Sequence, residues 1–252
     1  MKKLFIASLA FLAFACTENK GGETEQPDLS WGTAELCIEN PVAPGEKECY
    51  QIKLKVDTLA GESELALSLA AVIRDSILQT SGSTIQGMVK YLADSIDAEW
   101  KLELAERYDP ESEYNDMLQY YYNIKANQYE NGSDDVLTYW EQVDTYLGGA
   151  HGSHYVQYYN FDRVTGKLFA VQDVVPAEKE MLVLAAMQEK LCKDWDAKDL
   201  ADLQEKTGIT MLGDLYLTNN FLLHGDSITF LFNQYEIAPY AAGLISVTVP
   251  KP

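Results

Sequence analysis

His151 and His154 stand three apart around Gly152, in the run Tyr146-Leu-Gly-Gly-Ala-His-Gly-Ser-His-Tyr155. Two imidazoles can begin a metal site, but a zinc centre takes three or four protein ligands or keeps a position open for water. Asp144, Asp162 and Glu236 are the carboxylates that would complete one. A metal-dependent hydrolase using His151 and His154 is therefore one reading. In the other, the glycines let the backbone turn sharply, and the histidines either hydrogen-bond across neighbouring loops or meet a ligand.

The second group is Tyr235, Glu236, Pro239 and Tyr240, in the loop before the last strand-like run. Tyrosine buries a large area at low entropic cost and offers a hydroxyl, so aromatics flanking a carboxylate make a recognition surface. Ile237 and Ala238 between them favour an equally simple role, plugging the gap between helix and sheet. The candidate ligand-binding residues are thus His151, His154, Tyr155, Tyr235, Glu236 and Tyr240.

No catalytic residue, metal ligand set or cofactor is assigned. Ser153 beside His154 is not a nucleophile–base pair, because adjacent strand residues point apart. Cys192 falls among Leu184, Leu191 and Trp195 in a helical pattern and reads as a buried thiol. Gly148-Gly149 lacks the rest of any phosphate-binding motif. His224, in a Gly-Asp turn, reads as a surface residue.

These residues need elements to hold them. Trp31 to Asn40 and Tyr50 to Leu59 alternate as strands, with Ile52, Leu54 and Val56 on one face. From Gly61 the period becomes helical, with Ser63 placed to cap the start. A second helix over about Thr84 to Tyr108 carries the stripe Met88, Leu92, Ile96, Trp100 and Leu104, and Asp109-Pro110 ends it. Four strands follow, over 120–129, 136–147, 154–162 and 167–171. Asn131-Gly132 closes the first hairpin, and the four together form an antiparallel meander.

Pro176 opens a helix whose Leu184, Met187, Leu191 and Trp195 face the core, and Leu200, Leu203 and Gly208 mark a shorter one. Leu215 to Leu223, Ser227 to Phe232 and Leu244 to Val249 complete the strands. The class is α+β, with antiparallel sheets covered by helices in two α+β units, 31–125 and 126–252.

The N-terminus sets the compartment. Lys2 and Lys3 precede an apolar run from Leu4 to Ala15 and then Cys16, the pattern of a lipoprotein signal peptide over 1–15 with Cys16 acylated. Residues 16–30 are polar and acidic, a flexible tether. Without Lys2 and Lys3, the 19 basic residues become 17 against 39 acidic ones, a net charge of −22. That charge repels nucleic acid and attracts cationic partners. Outside the cytoplasm disulfides form, and Cys37 and Cys49 flank a turn-rich insert beginning at Pro41, so a bridge between them is expected. The place implied is the outer membrane or cell surface, on its outer or its periplasmic face.

Several pieces resemble the RsiV-like family of extracellular domains of largely unknown function. They are Gly148-Gly-Ala-His-Gly152 with the Tyr-rich strand after it, Asn160-Phe-Asp-Arg-Val-Thr-Gly-Lys167, and Phe230-Leu-Phe-Asn-Gln-Tyr-Glu-Ile-Ala-Pro-Tyr-Ala-Ala-Gly243 running into Ile245-Ser-Val-Thr-Val-Pro250. The likeness covers about Tyr146 to Pro250, and Glu35 to Lys125 resembles the smaller domain that usually precedes it. It is of the kind found in Bacteroidetes-type lipoproteins. The best-understood members are anti-sigma factors whose outer domain binds lysozyme. The resemblance implies a lipid-anchored cell-envelope binding protein for a lysozyme-like cationic protein or a peptidoglycan fragment. It carries no catalytic residue across, and the alternative stays a metal-dependent envelope hydrolase.

Overall fold

The computed structural model describes residues 29–42, 49–107, 109, 111 and 120–252. The signal peptide 1–15, Cys16, most of the tether and part of the insert after Pro41 lie outside them, as does Pro110. No helix among the described residues is long and apolar enough to cross a membrane.

Two sheets with flanking helices make a mixed α+β fold. Strands β1 (Trp31–Pro41) and β2 (Cys49–Leu59) form an antiparallel hairpin. In β2 the alternation works as written: Ile52, Leu54 and Val56 are buried and Lys53 and Lys55 exposed. Helix α1 (Glu64–Val72) starts at Ser63, whose hydroxyl accepts from the Ala66 amide at 3.1 Å. It runs into a π turn, Ile73–Ile77, which puts both of those isoleucines into the core. Helix α2 (Ile85–Arg107) buries Met88, Ile96, Trp100 and Leu104 and packs on β1 and β2. Asp97 of α2 ties it down, accepting from the Tyr50 hydroxyl, from Asn40 Nδ2 at 2.5 Å and from Lys101 Nζ at 2.6 Å.

Strands β3 (Tyr120–Tyr129), β4 (Val136–Tyr146) and β5 (Ser153–Asp162) follow as an antiparallel meander. The meander is not a separate sheet. β3 pairs in parallel with β2, giving one five-stranded sheet in the order β1-β2-β3-β4-β5. A boundary at residue 125 would fall inside β3, and 126–162 share a sheet with β1 and β2. Among the described residues, β2 with β3 is the one parallel pair in otherwise antiparallel sheets. The expected strand 167–171 reduces to one bridge, Phe161 to Leu168, before the chain turns into α3 (Val171–Val174).

The remaining chain builds a second core. Helix α4 (Glu180–Asp194) buries Val183, Met187 and Leu191, and α5 (Leu200–Thr207) is capped by Asp199 and stopped by Gly208 at φ 75°. Trp195 is 52% exposed: the helix ends at Asp194, so its period no longer carries to that residue. Strands β6 (Phe221–His224), β7 (Ser227–Phe232) and β8 (Ile245–Pro250) form an antiparallel sheet, with α4 against β8. Of the strand expected from Leu215, the part from Phe221 onward forms. His224 is half-buried, its Nε2 2.8 Å from Thr229 Oγ1.

The Cys37–Cys49 disulfide does not fit this register. Cys37 sits opposite Lys53, and Cys49 opposite Pro41. The two are offset by four strand positions, about 13 Å along the sheet, beyond the roughly 7 Å Cα separation a bridge tolerates.

Candidate functional site

The aromatic candidates meet where β5 joins the loop after β7. Gly148 and Gly149, at φ 90° and 92°, turn the chain out of β4. Gly152 then passes so close to β4 that a Cβ there would lie 2.6 Å from the Thr145 carbonyl oxygen. This turn sets His151 on Tyr240, with ring centroids 3.6 Å apart and planes at 15°. The Tyr235 hydroxyl lies 3.3 Å from His151 Nε2, and its ring 5.8 Å from that of Tyr240.

Tyr235 is 55% exposed and holds φ 68°. A left-handed backbone costs a non-glycine residue roughly 1–2 kcal/mol, so the fold holds an outward-facing ring in a strained place. Ile237 and Ala238, at 0% and 2% exposure, anchor the same loop in the second core. The loop therefore does both things its sequence allows: its centre plugs and Tyr235 projects.

His154 belongs to a different arrangement. Its Nδ1 contacts Asp144 Oδ1, and Gln142 Nε2 donates to the other Asp144 oxygen at 2.6 Å. The histidines thus have separate partners, Tyr235 and Tyr240 for one and Asp144 for the other. Among the described residues no group of three or more His, Cys, Asp or Glu side chains could hold a metal ion. The hydrolase reading loses its ligand set, because strand alternation and the 151–154 turn send the two imidazoles to different neighbours. Cys192 is half-buried, and burial together with Asp199 and Asp202 pushes its thiol pKa up, away from nucleophilic use.

What fixes this junction is a row of side-chain amides that the sequence reading did not single out. β5 is an edge of the five-stranded sheet, and its outward N–H groups need acceptors. Gln234 Oε1 accepts from the His154 amide at 3.1 Å, Asn233 Oδ1 from Val156 at 2.8 Å and Asn220 Oδ1 from Tyr158 at 3.0 Å. Asn233 and Asn220 also donate to the Val156 carbonyl, at 3.0 and 2.7 Å. Asn160 Nδ2 returns a bond to Phe221 O at 2.6 Å. Three amide side chains thus stand in for a sixth strand. The signal for two of them was in the sequence: Asn233-Gln234 directly follows an apolar strand.

Around the tyrosines the electrostatics are one-sided. Glu236 accepts from the Tyr216 hydroxyl at 3.4 Å and from Asn233 Nδ2 at 3.5 Å. Tyr155 is 38% exposed, and burial with the nearby Glu141 and Glu236 charges raises its hydroxyl pKa. Glu141, on the helix-facing side of β4, is pushed up to about 7 by desolvation. A carboxylate at Glu141 breaks the apolar series Leu137, Tyr139, Val143, an irregularity visible in the sequence.

Residues 169–251 match the family described as "Protein of unknown function (DUF3298)". The match spans α4, α5 and the second sheet, and the motif at 148–167 lies before it. No curated protein matches the chain. Two solved structures are similar over nearly their whole lengths. One is a member of the same family from Bacteroides fragilis NCTC 9343, with TM-score 0.76 and 20% identity over 89% of this chain and 91% of that one. The other is a family protein from Pseudomonas aeruginosa PAO1, with TM-score 0.59 and 17% identity over 89% and 92%. At these identities the likeness is one of fold.

Proposed function

On the match of residues 169–251 to the DUF3298 family, we propose that the chain is a lipid-anchored binding protein of the cell envelope. Cys16 is its anchor, at the outer membrane or cell surface. Its ligand is a cationic, lysozyme-like protein, or else a peptidoglycan fragment. The observation that carries this reading is the cluster of exposed His151 and Tyr235 with half-buried Tyr240, in which Tyr235 is kept at a positive φ. Strain retained under an exposed aromatic residue is characteristic of recognition sites, and tyrosine is enriched among binding hot spots. Glu236 and Tyr155 extend the cluster with charge and apolar area. The formal net charge of −20 favours encounter with a basic protein.

Calorimetric titration of the full chain with a lysozyme and with muropeptides tests the proposal. Saturable binding is expected with one of them, and Tyr235→Ala combined with Tyr240→Ala should weaken it by about tenfold or more while the fold is retained. Flat titrations with both ligands at concentrations of roughly tens of micromolar would sink it. Fatty-acid labelling that is lost in Cys16→Ser checks the anchor.

A further inference from the structure

Helices α1 and α2 cover one face of the five-stranded sheet, where Ile52, Leu54 and Val56 join the first core. Strand alternation turns the intervening side chains to the other face. Two cross-strand rows lie there. One reads Cys37, Lys53, Asn123, Asp144 and His154 from β1 to β5, and the next reads Glu35, Lys55, Lys125 and Gln142 from β1 to β4. A cavity of about 630 Å³ opens over these rows, lined by Glu35, Lys53, Lys55, Asn123, Lys125 and Asp144 among others. Its volume is that of a small-molecule site. It shares no residue with the cluster of His151, Tyr235 and Tyr240.

The charges of this lining are unevenly matched. Glu35 is held by Lys55 at 2.7 Å, and Asp144 by Gln142 Nε2 at 2.6 Å and by His154. Lys53 and Lys125 have no counter-ion among the described residues. Lys125 also stands directly opposite Lys55, and like charges in that position destabilise a sheet. By strand spacing and rise, Lys53 and Lys125 lie roughly 8 Å apart along the backbone diagonal, so one small anion reaches both ammonium groups. Asn123 lies opposite Lys53 and two residues before Lys125. Its Oδ1 is buried without a partner, so Nδ2 is the half of the amide that meets the cavity. Lys53 and Asn123 also line a neighbouring cavity of about 430 Å³ with Glu39, Gln51 and Tyr121, which leaves room beside the anion for the rest of a larger ligand.

We propose that this cavity binds the carboxylate of a small acidic sugar or short peptide, held by Lys53, Lys125 and the Asn123 amide. Three lysines against two carboxylates give the lining a net charge of 3 − 2 = +1, in a chain whose formal charge is −20. That excess suits a monoanion, since Glu35 and Asp144 would repel the second charge of a phosphate. The same two carboxylates accept from O–H and N–H donors, which sugars and peptides carry along their length and fatty acids do not. At about 0.15 M salt the Debye length is roughly 8 Å, so the adjacent lysines outweigh the distant acidic surface. The inference goes beyond the binding reading above and holds whether or not the tyrosine cluster takes a ligand.

The test is an NMR titration of the nitrogen-labelled full chain with N-acetylmuramic acid, N-acetylalanine, neutral N-acetylglucosamine and inorganic phosphate, at constant pH and ionic strength. Saturable shifts of the Asn123 side-chain amide and of the Lys53 and Lys125 backbone amides are expected with one or both acids and not with the neutral sugar. A response to the sugar acid alone assigns the site to an acidic sugar, to N-acetylalanine alone to a peptide, and to both acids to the carboxylate itself. Lys53→Gln combined with Lys125→Gln should weaken binding by about tenfold or more with the rest of the spectrum unchanged. Lys193→Gln, on α4 outside the cavity, should not weaken it. Silence with both acids, equal shifts with the neutral sugar, tighter binding of phosphate than of either acid, or undiminished binding by the double lysine variant overturns the proposal. Tyr235→Ala with Tyr240→Ala should leave the acid-induced shifts in place. Their loss in that variant would overturn the separate site, whereas lysozyme binding that survives the lysine changes leaves the functional reading standing by itself.

Discussion

Tyr235 and Glu141 are both placed at some expense to stability, one through its backbone and the other through its solvation. For Glu141 the sign is definite. Its carboxyl titrates near 4.5 when hydrated and near 7 in the fold, so the native state holds the proton more tightly. Raising the pH between those values favours the unfolded chain, and the favourable contribution present below 4.5 is gone above 7. Glu141→Gln should leave the urea midpoint almost unchanged at pH 4. At pH 8 it should stabilise the protein by about 2–3 kcal/mol, allowing for the partial hydration of the site. A variant that tracks the parent at both pH values would mean that the carboxyl is ordinarily hydrated.

Among the elements, β5 decides how the two sheets are joined. Its edge is closed by Asn220, Asn233 and Gln234, each accepting from a different β5 amide. Asn220 is 3% exposed, so Asn220→Ala leaves the Tyr158 amide without its acceptor where water cannot easily replace it. A loss of about 1–3 kcal/mol is expected, and the Tyr158 amide should exchange with solvent faster than those of β2. Unchanged exchange at Tyr158 would mean that the amide row is incidental to the junction. The same row positions the loop of Tyr235 and Tyr240, since Asn233 and Gln234 fix its start.

For the molecule as a whole, charge is the dominant long-range property. With 39 acidic against 19 basic residues, association with a basic protein should be steered over a distance comparable to the Debye length. Raising the ionic strength from about 0.05 to 0.5 M should slow association by roughly tenfold or more while changing the off-rate much less. Stopped-flow kinetics would show this, and an association rate indifferent to salt would argue against an electrostatically guided partner.

Local periodicity carried much of this architecture. Ile52, Leu54 and Val56 alternate because one face of β2 is buried, Ser63 caps α1 because its hydroxyl reaches the Ala66 amide, and Asp199 and Gly208 bracket α5. Each depends on neighbours a few residues away, so the sequence alone determined them. The glycine turn at 148–152 was legible for the same reason. Tertiary structure decided the parallel pairing of β3 with β2, the register that separates Cys37 from Cys49, and the different partners of His151 and His154. It also brought Glu141 within the field of tyrosines from neighbouring strands and set Asn220, some sixty residues from Val156, on the edge of β5. Pairing, register and burial are contacts between residues distant in sequence, and no local pattern encodes which distant surface will cover them.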